Sequence, residues 1–192
     1  MKFAAYCLGV WFDVANTINS IEFIGKNGQS VRLRHAEEED AKNIIEAVNE
    51  IITSGTYIQK ERARSEKEEI EFIKEMKRLN NMYTVIEMSG EIVGIARVIR
   101  GELEMKRHIG LFRTWMIQSA QQNGIGTEVM KYTLKWCEDH NLHKLCLTVF
   151  SSNGLAQKLY ERYGFVTEGT QREQVLIDNK YEDEIFMAYF FA

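Results

Sequence analysis

Along this chain, apolar positions alternate with polar ones, then recur at helical spacing, then alternate again, and these changes of period predict its elements. Ile21-Glu22-Phe23-Ile24-Gly25 and Ser30-Val31-Arg32-Leu33-Arg34 read as two strands around an Asn27-Gly28 turn signal. A helix follows. Glu37, Glu38, Glu39 and Asp40 crowd its start, where the helix dipole favours negative charge, and Ala41, Ile44, Ile45, Val48 and Ile52 recur at helical spacing up to Gly55. A second helix opens at Ser65, whose hydroxyl can cap the backbone while Glu68 reaches back, and Phe72, Ile73, Met76 and Leu79 form its stripe.

From Met82 the period becomes two. Met82 to Met88, a Ser89-Gly90 turn and Ile92 to Ile99 predict a hairpin, and Ile109 to Ile117 a further, largely apolar strand. A helix from Gly124 to His140 turns Val129, Met130, Leu134 and Cys137 inward; Leu145, Leu147 and Val149 alternate in another strand. Leu155, Ala156, Leu159, Tyr160 and Tyr163 mark a short helix closed by Gly164. Phe165 to Ile177 and Tyr181 to Phe191 read as closing strands around Asp178-Asn179-Lys180. From Ser30 the order is β-α-α-β-β-β-α-β-α-β-β, a mixed α/β (α+β) class with an antiparallel front half and one parallel crossover.

Composition narrows the function classes. The 192 residues are 45% hydrophobic, too apolar for a disordered chain, and contain no proline where average usage gives roughly ten. Loops must be punctuated by Gly, Asn, Asp and Ser. A net charge of -4 offers no basic field for a phosphate backbone, so nucleic acid is not an expected partner. Cys7, Cys137 and Cys146 are odd in number and widely spaced, which indicates neither a disulfide framework nor a metal site, and fits a reducing, cytoplasmic compartment. The apolar run from Met1 to Phe12 stops at Asp13, too short to span a bilayer and without a clean small-x-small cleavage site, so residues 1–29 read as an N-terminal extension or packing segment, with a signal peptide as the alternative.

Candidate chemistry begins at Gln121-Gln122-Asn123-Gly124-Ile125-Gly126-Thr127, between a strand and a helix. There free N–H groups and the positive helix end converge, and glycines admit an anionic group close to the backbone. The third glycine of a dinucleotide fingerprint would fall on Val129, and no Gly-Lys-Ser/Thr follows, so neither familiar nucleotide cradle fits.

Downstream lies Asn153-x-x-Ala156-x-x-Leu159-Tyr160-x-x-x-Gly164-Phe165. In that frame the chain resembles the GCN5-related N-acetyltransferase (GNAT) family: Gln121-x-x-Gly124-x-Gly126 is similar to its acetyl-CoA motif and the Asn153 segment to its second signature. The likeness covers residues 30–192 and implies an N-acetyltransferase domain there, with a mostly antiparallel sheet, a splayed parallel strand pair and about four helices. It implies acetyl-CoA as co-substrate, held by Met116, Ile117, Gln121, Gln122, Asn123, Gly124, Ile125, Gly126, Thr127, Asn153, Ala156 and Tyr160. Amides from Gln122 to Thr127 would hold the diphosphate. The pantetheine arm would lie between the strand ending at Met116-Ile117 and the strand from Lys144 to Phe150. Tyr160 would be the catalytic acid towards the departing thiolate, and the N–H of Met116 or Ile117 would stabilise the oxyanion. The partners implied are acetyl-CoA and a primary amine, with neither membrane nor metal involved and homodimerisation left open.

Each residue also has a plainer role. Tyr160 can be a core tyrosine and Asn153 a helix cap, and Cys137 and Cys146 pack as small hydrophobes. Glu102, Glu104, His108 and Glu168 are candidate bases by position, with surface solvation as the alternative. The loop departs from the family in having Gln122 and Asn123 where basic or glycine residues are common, which predicts moderate CoA affinity resting on backbone N–H groups. Glu168-Gly169-x-x-Arg172, Tyr181-x-Asp183 and Met187 resemble the subgroup of ribosomal-protein, polyamine and small-antibiotic acetyltransferases. A non-catalytic acyl-CoA-binding module is the alternative function on the same fold; Tyr160 favours catalysis.

Overall fold

Ser20–Ile24 (β1) and Ser30–His35 (β2) pair antiparallel around the Asn27-Gly28 turn, with Phe23 opposite Val31. The computed structural model describes residues 20–54, 57, 61–177 and 179–192; the readings placed on residues 1–19 (Cys7 included), Gly55 and Asp178 lie outside these. β1 stands before the expected boundary at residue 30, yet it is hydrogen-bonded into the sheet as an edge strand.

The remaining elements follow the predicted order: α1 (Ala41–Ser54), α2 (Glu66–Arg78), β3 (Met82–Met88), β4 (Glu91–Arg100), β5 (Ile109–Met116), α3 (Ile125–Asp139), β6 (Lys144–Phe150), α4 (Gly154–Arg162), β7 (Val166–Ile177) and β8 (Lys180–Phe190). They form one sheet ordered β1-β2-β3-β4-β5-β6-β8-β7, in which β5 and β6 are parallel and every other pair is antiparallel.

Two apolar layers cover the sheet. Val31, Leu33, Met82, Ile86, Ala96, Val98 and Phe112 pack with α3 and α4, while Tyr83, Val85, Ile92 and Ile95 pack with α1 and α2. β3 is therefore buried on both faces, and its period of two separates one core from another rather than core from solvent. α1 buries Ala41, Ile44, Ala47, Val48 and Ile51, leaving Ile45 and Ile52 half-buried at the stripe's margin. The capping box on α2 forms as predicted, Glu68 N–H donating to Ser65 Oγ at 3.3 Å and Ser65 N–H to Glu68 Oε2 at 2.7 Å. α2 also buries a charge that its acidic sequence hides. Glu69 is paired with Arg64 at 2.9 Å and accepts the Tyr83 hydroxyl, and this burial and negative neighbour push the Tyr83 phenol up.

The feature that positions the site is where parallel pairing stops. β5 and β6 match only at Ile109–Lys144, Gly110–Leu145 and Leu111–Cys146. Beyond them β5 stays with β4 as far as Met116 opposite Gly94, and β6 stays with β8 as far as Phe150 opposite Glu184. The two strands part into a V. At the far edge, β7 pairs with β8 through two register shifts, between Thr167 and Gly169 and between Gln171 and Val175.

One ionic knot ties β2 to β3 and to the start of α1. Arg34 donates to Asp40 at 2.7 and 2.9 Å and to Glu87 at 2.6 Å, and Asp40 also accepts the Glu37 N–H at 2.8 Å. Burial works against the Asp40 anion, but Arg34 and the Glu37 N–H together hold its carboxyl below the usual carboxylate range. A depressed carboxylate stabilises the fold above its unfolded pKa of about 3.9 and ceases to do so as pH falls through the lower folded value. Urea unfolding should accordingly show stability declining as pH drops below about 4. Arg34→Leu, which strands two carboxylates, should cost about 3 kcal/mol at pH 7 in the same measurement.

Candidate active site

The mouth of the V is closed on one side by the segment that joins β5 to α3. Ile117 N–H donates to Val93 O at 2.9 Å and so belongs to the sheet. In an antiparallel pair successive residues point their backbone groups in opposite directions, so the N–H and carbonyl of Met116 turn away from β4, into the V. Gln121 Nε2 reaches back to that carbonyl at 3.1 Å and braces it.

A single 3-10 turn, Gln118–Ala120, then carries the chain to Gly124, the residue before α3. Gly124 has φ +81°, a left-handed conformation that glycine adopts without cost, and Gln122 is also left-handed at φ 61°. Asn123 Nδ2 donates inside the loop, to Ser119 O at 3.3 Å and Ala120 O at 3.4 Å. Gln121 N–H is bonded to Gln118 O and Thr127 N–H to Gly124 O. The N–H groups of Gln122, Asn123, Gly124, Ile125 and Gly126 have no acceptor among the described residues. These five consecutive N–H groups stand at the positive end of a 15-residue helix, where negative charge is favoured.

Gly126 serves a different need. A Cβ built there would stand 3.2 Å from Leu159 Cδ2 and 4.0 Å from Met116 Cε, so its absence lets α4 and β5 close on the first turn of α3. Tyr163 OH donates to Thr127 O at 3.2 Å, fastening the same joint. The packing brings Met116, Gly126 and the Leu159-Tyr160 turn of α4 together, although they are spread over more than forty residues of sequence.

Tyr160 lies inside this joint, 9% exposed, its ring edge-on to Phe112 at 6.4 Å and 5.7 Å from Phe165. Burial pushes its phenol up to about 12. Asn153 is the N-cap of α4, its Oδ1 accepting from Ala156 N–H at 3.2 Å, while its Nδ2 has no acceptor among the described residues. Capping and a contact to a bound molecule are thus compatible in one side chain. Ala156 is half-buried against the same core. Burial also pushes the Cys137 and Cys146 thiols up, which keeps them protonated as expected of packing residues.

The four candidate bases fall elsewhere. Glu102, Glu104 and His108 belong to the β4–β5 connection, and Glu168 is paired with Lys144 at 2.6 Å, at the start of β6. Glu102, Glu104 and His108 thus lie at the closed end of the V, a full strand length or roughly 20 Å along β5 from Met116 at 3.3 Å per residue, and Glu168 stands two strands out from β6, level with Leu147 and Thr148. The carboxylates at the open end are ones the sequence did not single out. Glu182 accepts from Ser151 Oγ at 3.0 Å and Ser152 N–H at 3.1 Å, contacts that hold its carboxyl below the usual range, and Glu184 stands opposite Phe150. Their signal lay in the pairing of β8 with β6, which only the folded register reveals. Among the described residues no three His, Cys, Asp or Glu side chains gather as metal ligands would, and no helix is long and apolar enough to cross a membrane.

Comparison with known proteins agrees with this architecture. A solved acetyltransferase of the GNAT family from Streptococcus pneumoniae superposes with a TM-score of 0.78 at 24% identity, covering 84% of this chain and 99% of that one. A GNAT superfamily phosphinothricin acetyltransferase from Sinorhizobium meliloti, solved in complex with AcCoA, superposes with a TM-score of 0.76 at 18% identity, covering 83% and 88%. At these identities the likeness is one of fold. In sequence, the L-amino acid N-acetyltransferase AaaT of Escherichia coli (strain K12) is 26% identical over 102 residues, which is 53% of this chain and 63% of that protein. Residues 45–165, more than half of the chain, match the model of the Acetyltransferase (GNAT) family, and the chain belongs to that family.

Proposed function

We propose that this protein is an N-acetyltransferase that moves the acetyl group of acetyl-CoA directly to a primary amine, with both substrates bound together. The observation that carries the proposal is the set of five N–H groups from Gln122 to Gly126 that have no acceptor among the described residues, standing beside the V where β5 and β6 part. The donor set fits the co-substrate: a diphosphate needs several converging donors, and an extended pantetheine arm needs strand edges with free backbone groups. The fold shared with the acetyl-CoA-bound Sinorhizobium enzyme supports the same placement. The acetyltransferase unit is residues 30–192 by its sequence resemblance, and such an enzyme would work in the cytoplasm, where CoA thioesters are made.

When bound, acetyl-CoA supplies an activated acyl carbonyl and a thiolate leaving group. The Met116 N–H, turned into the V and braced through its carbonyl by Gln121, is the donor available to negative charge on the acyl oxygen, since Ile117 N–H is used by the sheet. Tyr160 serves the sulfur. A phenol near 12 and a thiol of ordinary pKa near 8.5 differ by roughly 3.5 units, about 5 kcal/mol against outright proton transfer to a free thiolate. Tyr160 therefore acts as a hydrogen-bond donor that stays protonated, and the proton that finally appears on sulfur balances the one lost by the attacking nitrogen. Glu182, Asp183 and Glu184 give the open end negative charge, which favours a cationic amine on its way in. Small amines and protein N-termini are the acceptor classes considered, and the likeness to an L-amino acid N-acetyltransferase puts amino acids first among them.

Calorimetry should show saturable acetyl-CoA binding, and a thiol-release screen over amino acids, polyamines, aminoglycosides and peptide N-termini should find an acceptor; binding without any turnover would point to a non-catalytic CoA-binding module. On a good acceptor, Tyr160→Phe should lower kcat by about 100-fold. Because the phenol is pushed up to about 12, wild-type kcat/KM should rise with pH as the acceptor amine loses its proton and show no falling limb below pH 10. A descending limb in that range, absent from Tyr160→Phe, would remove Tyr160 from this role. Glu168→Gln, two strands out from the V, and His108→Ala, at its closed end, should keep kcat within about twofold of wild type; the loss expected of a true general base would be at least 100-fold.

A further inference from the structure

The loop around Gly124 contains no basic residue, but the folded chain brings one to it from outside the family-matched segment. Lys26 follows Gly25 in the β1–β2 turn, two residues after β1 ends at Ile24. Its N–H donates to Asn123 O at 3.0 Å. The open side of Gly124, where any other residue would carry a Cβ, faces the Lys26 side chain: Cγ at 3.6 Å, Cε at 3.7 Å and Cδ at 4.0 Å from that position. The methylenes thus run alongside Gly124, while the exposed ammonium has no ion-pair partner among the described residues.

The turn is built to hold it there. Gly25 N–H donates to Gln29 O at 2.8 Å, Gly28 N–H to Gly25 O at 2.9 Å, and Gln29 Nε2 to Ser89 Oγ at 3.3 Å, which ties the turn to the β3–β4 turn beside it. Gly25 itself is buried. The acidic side chain in the first turn of α3, Glu128, is already paired with Lys131 at 2.8 Å and so does not claim Lys26.

We propose that Lys26 is an anion-binding residue of the co-substrate site, placing its ammonium against the phosphate groups of acetyl-CoA and supplying in folded space the positive charge that Gln122 and Asn123 do not supply in sequence. The inference rests on the acetyl-CoA reading above. A flexible lysine fits this role as a point charge added to a rigid set of backbone donors.

The test compares wild type, Lys26→Ala, Lys26→Glu and Lys26→Arg by calorimetry, using acetyl-CoA and S-acetylpantetheine, which carries the thioester without the diphosphate. At low salt Lys26→Ala should weaken acetyl-CoA binding about fivefold, Lys26→Glu more, and Lys26→Arg little. The differences should shrink at 0.5 M salt, where screening shortens the reach of an exposed charge to about 4 Å. S-Acetylpantetheine binding should be the same in all four proteins. Equal acetyl-CoA affinity in wild type, Lys26→Ala and Lys26→Glu, or an equal loss for both probes, overturns the proposal. Absence of acetyl-CoA binding in wild type itself overturns instead the reading on which it rests. Thermal unfolding of the ligand-free proteins, expected to coincide because Lys26 is exposed, separates a lost charge from a lost turn.

Discussion

The structure depends on one interruption: two parallel strands that hydrogen-bond for three residues and then separate. Buried backbone groups cannot be left without partners, so such a parting is stable only if each strand is fully held on its other side and the gap is open to something polar. β4 holds β5 up to Met116, and β8 holds β6 up to Phe150. What remains is a narrow strip of backbone facing a cleft, ending at the N-terminus of α3. That arrangement sets strand edges and the glycine-bearing loop around one cleft and leaves main-chain groups facing it.

Side chains at the cleft mostly brace the backbone. Gln121 braces the Met116 carbonyl, Asn123 ties its own loop, Asn153 caps α4, and Tyr163 fastens α4 to α3. Tyr160 is different because its hydroxyl ends an otherwise apolar contact with Phe112 and Phe165. The burial that fixes the ring also keeps it protonated, so packing and acid–base state have one cause.

Periodicity and turn chemistry made most of this fold legible. The Asn27-Gly28 hairpin, the Ser65/Glu68 box and the Gly164 stop each depend on neighbours within a few residues, and each forms where expected. The turn at Gly124 and the inward position of Tyr160 were legible because each depends on neighbours close in sequence. Less was visible where partners come from far along the chain. Glu69 occupies the helical position that precedes Ile73 and Met76 on the buried stripe, but its acidic neighbours disguise it, and only Arg64 and Tyr83 explain its burial. That Val93 takes the Ile117 N–H while the Met116 N–H faces away from β4 needed the β4 register, and the distance of His108 from Met116 needed the direction of β5. Lys26 had no signal, since nothing in its neighbourhood announces Gly124.

The two register shifts in the β7–β8 pairing carry a consequence for how molecules of this protein meet one another. A long outer strand with unpaired N–H and carbonyl groups is a template for further strands, and proline is a common means of blunting it. This chain has none. Instead β7 departs from regular pairing twice in twelve residues, with Glu173 in a left-handed conformation at φ 50°, and it carries Glu168, Arg172 and Glu173 along its length. Such bends and charges spoil the straight, uniform rail on which another sheet would dock. Irregularity at this margin thus protects against aggregation, a task that backbone geometry performs here without the residue most often used for it.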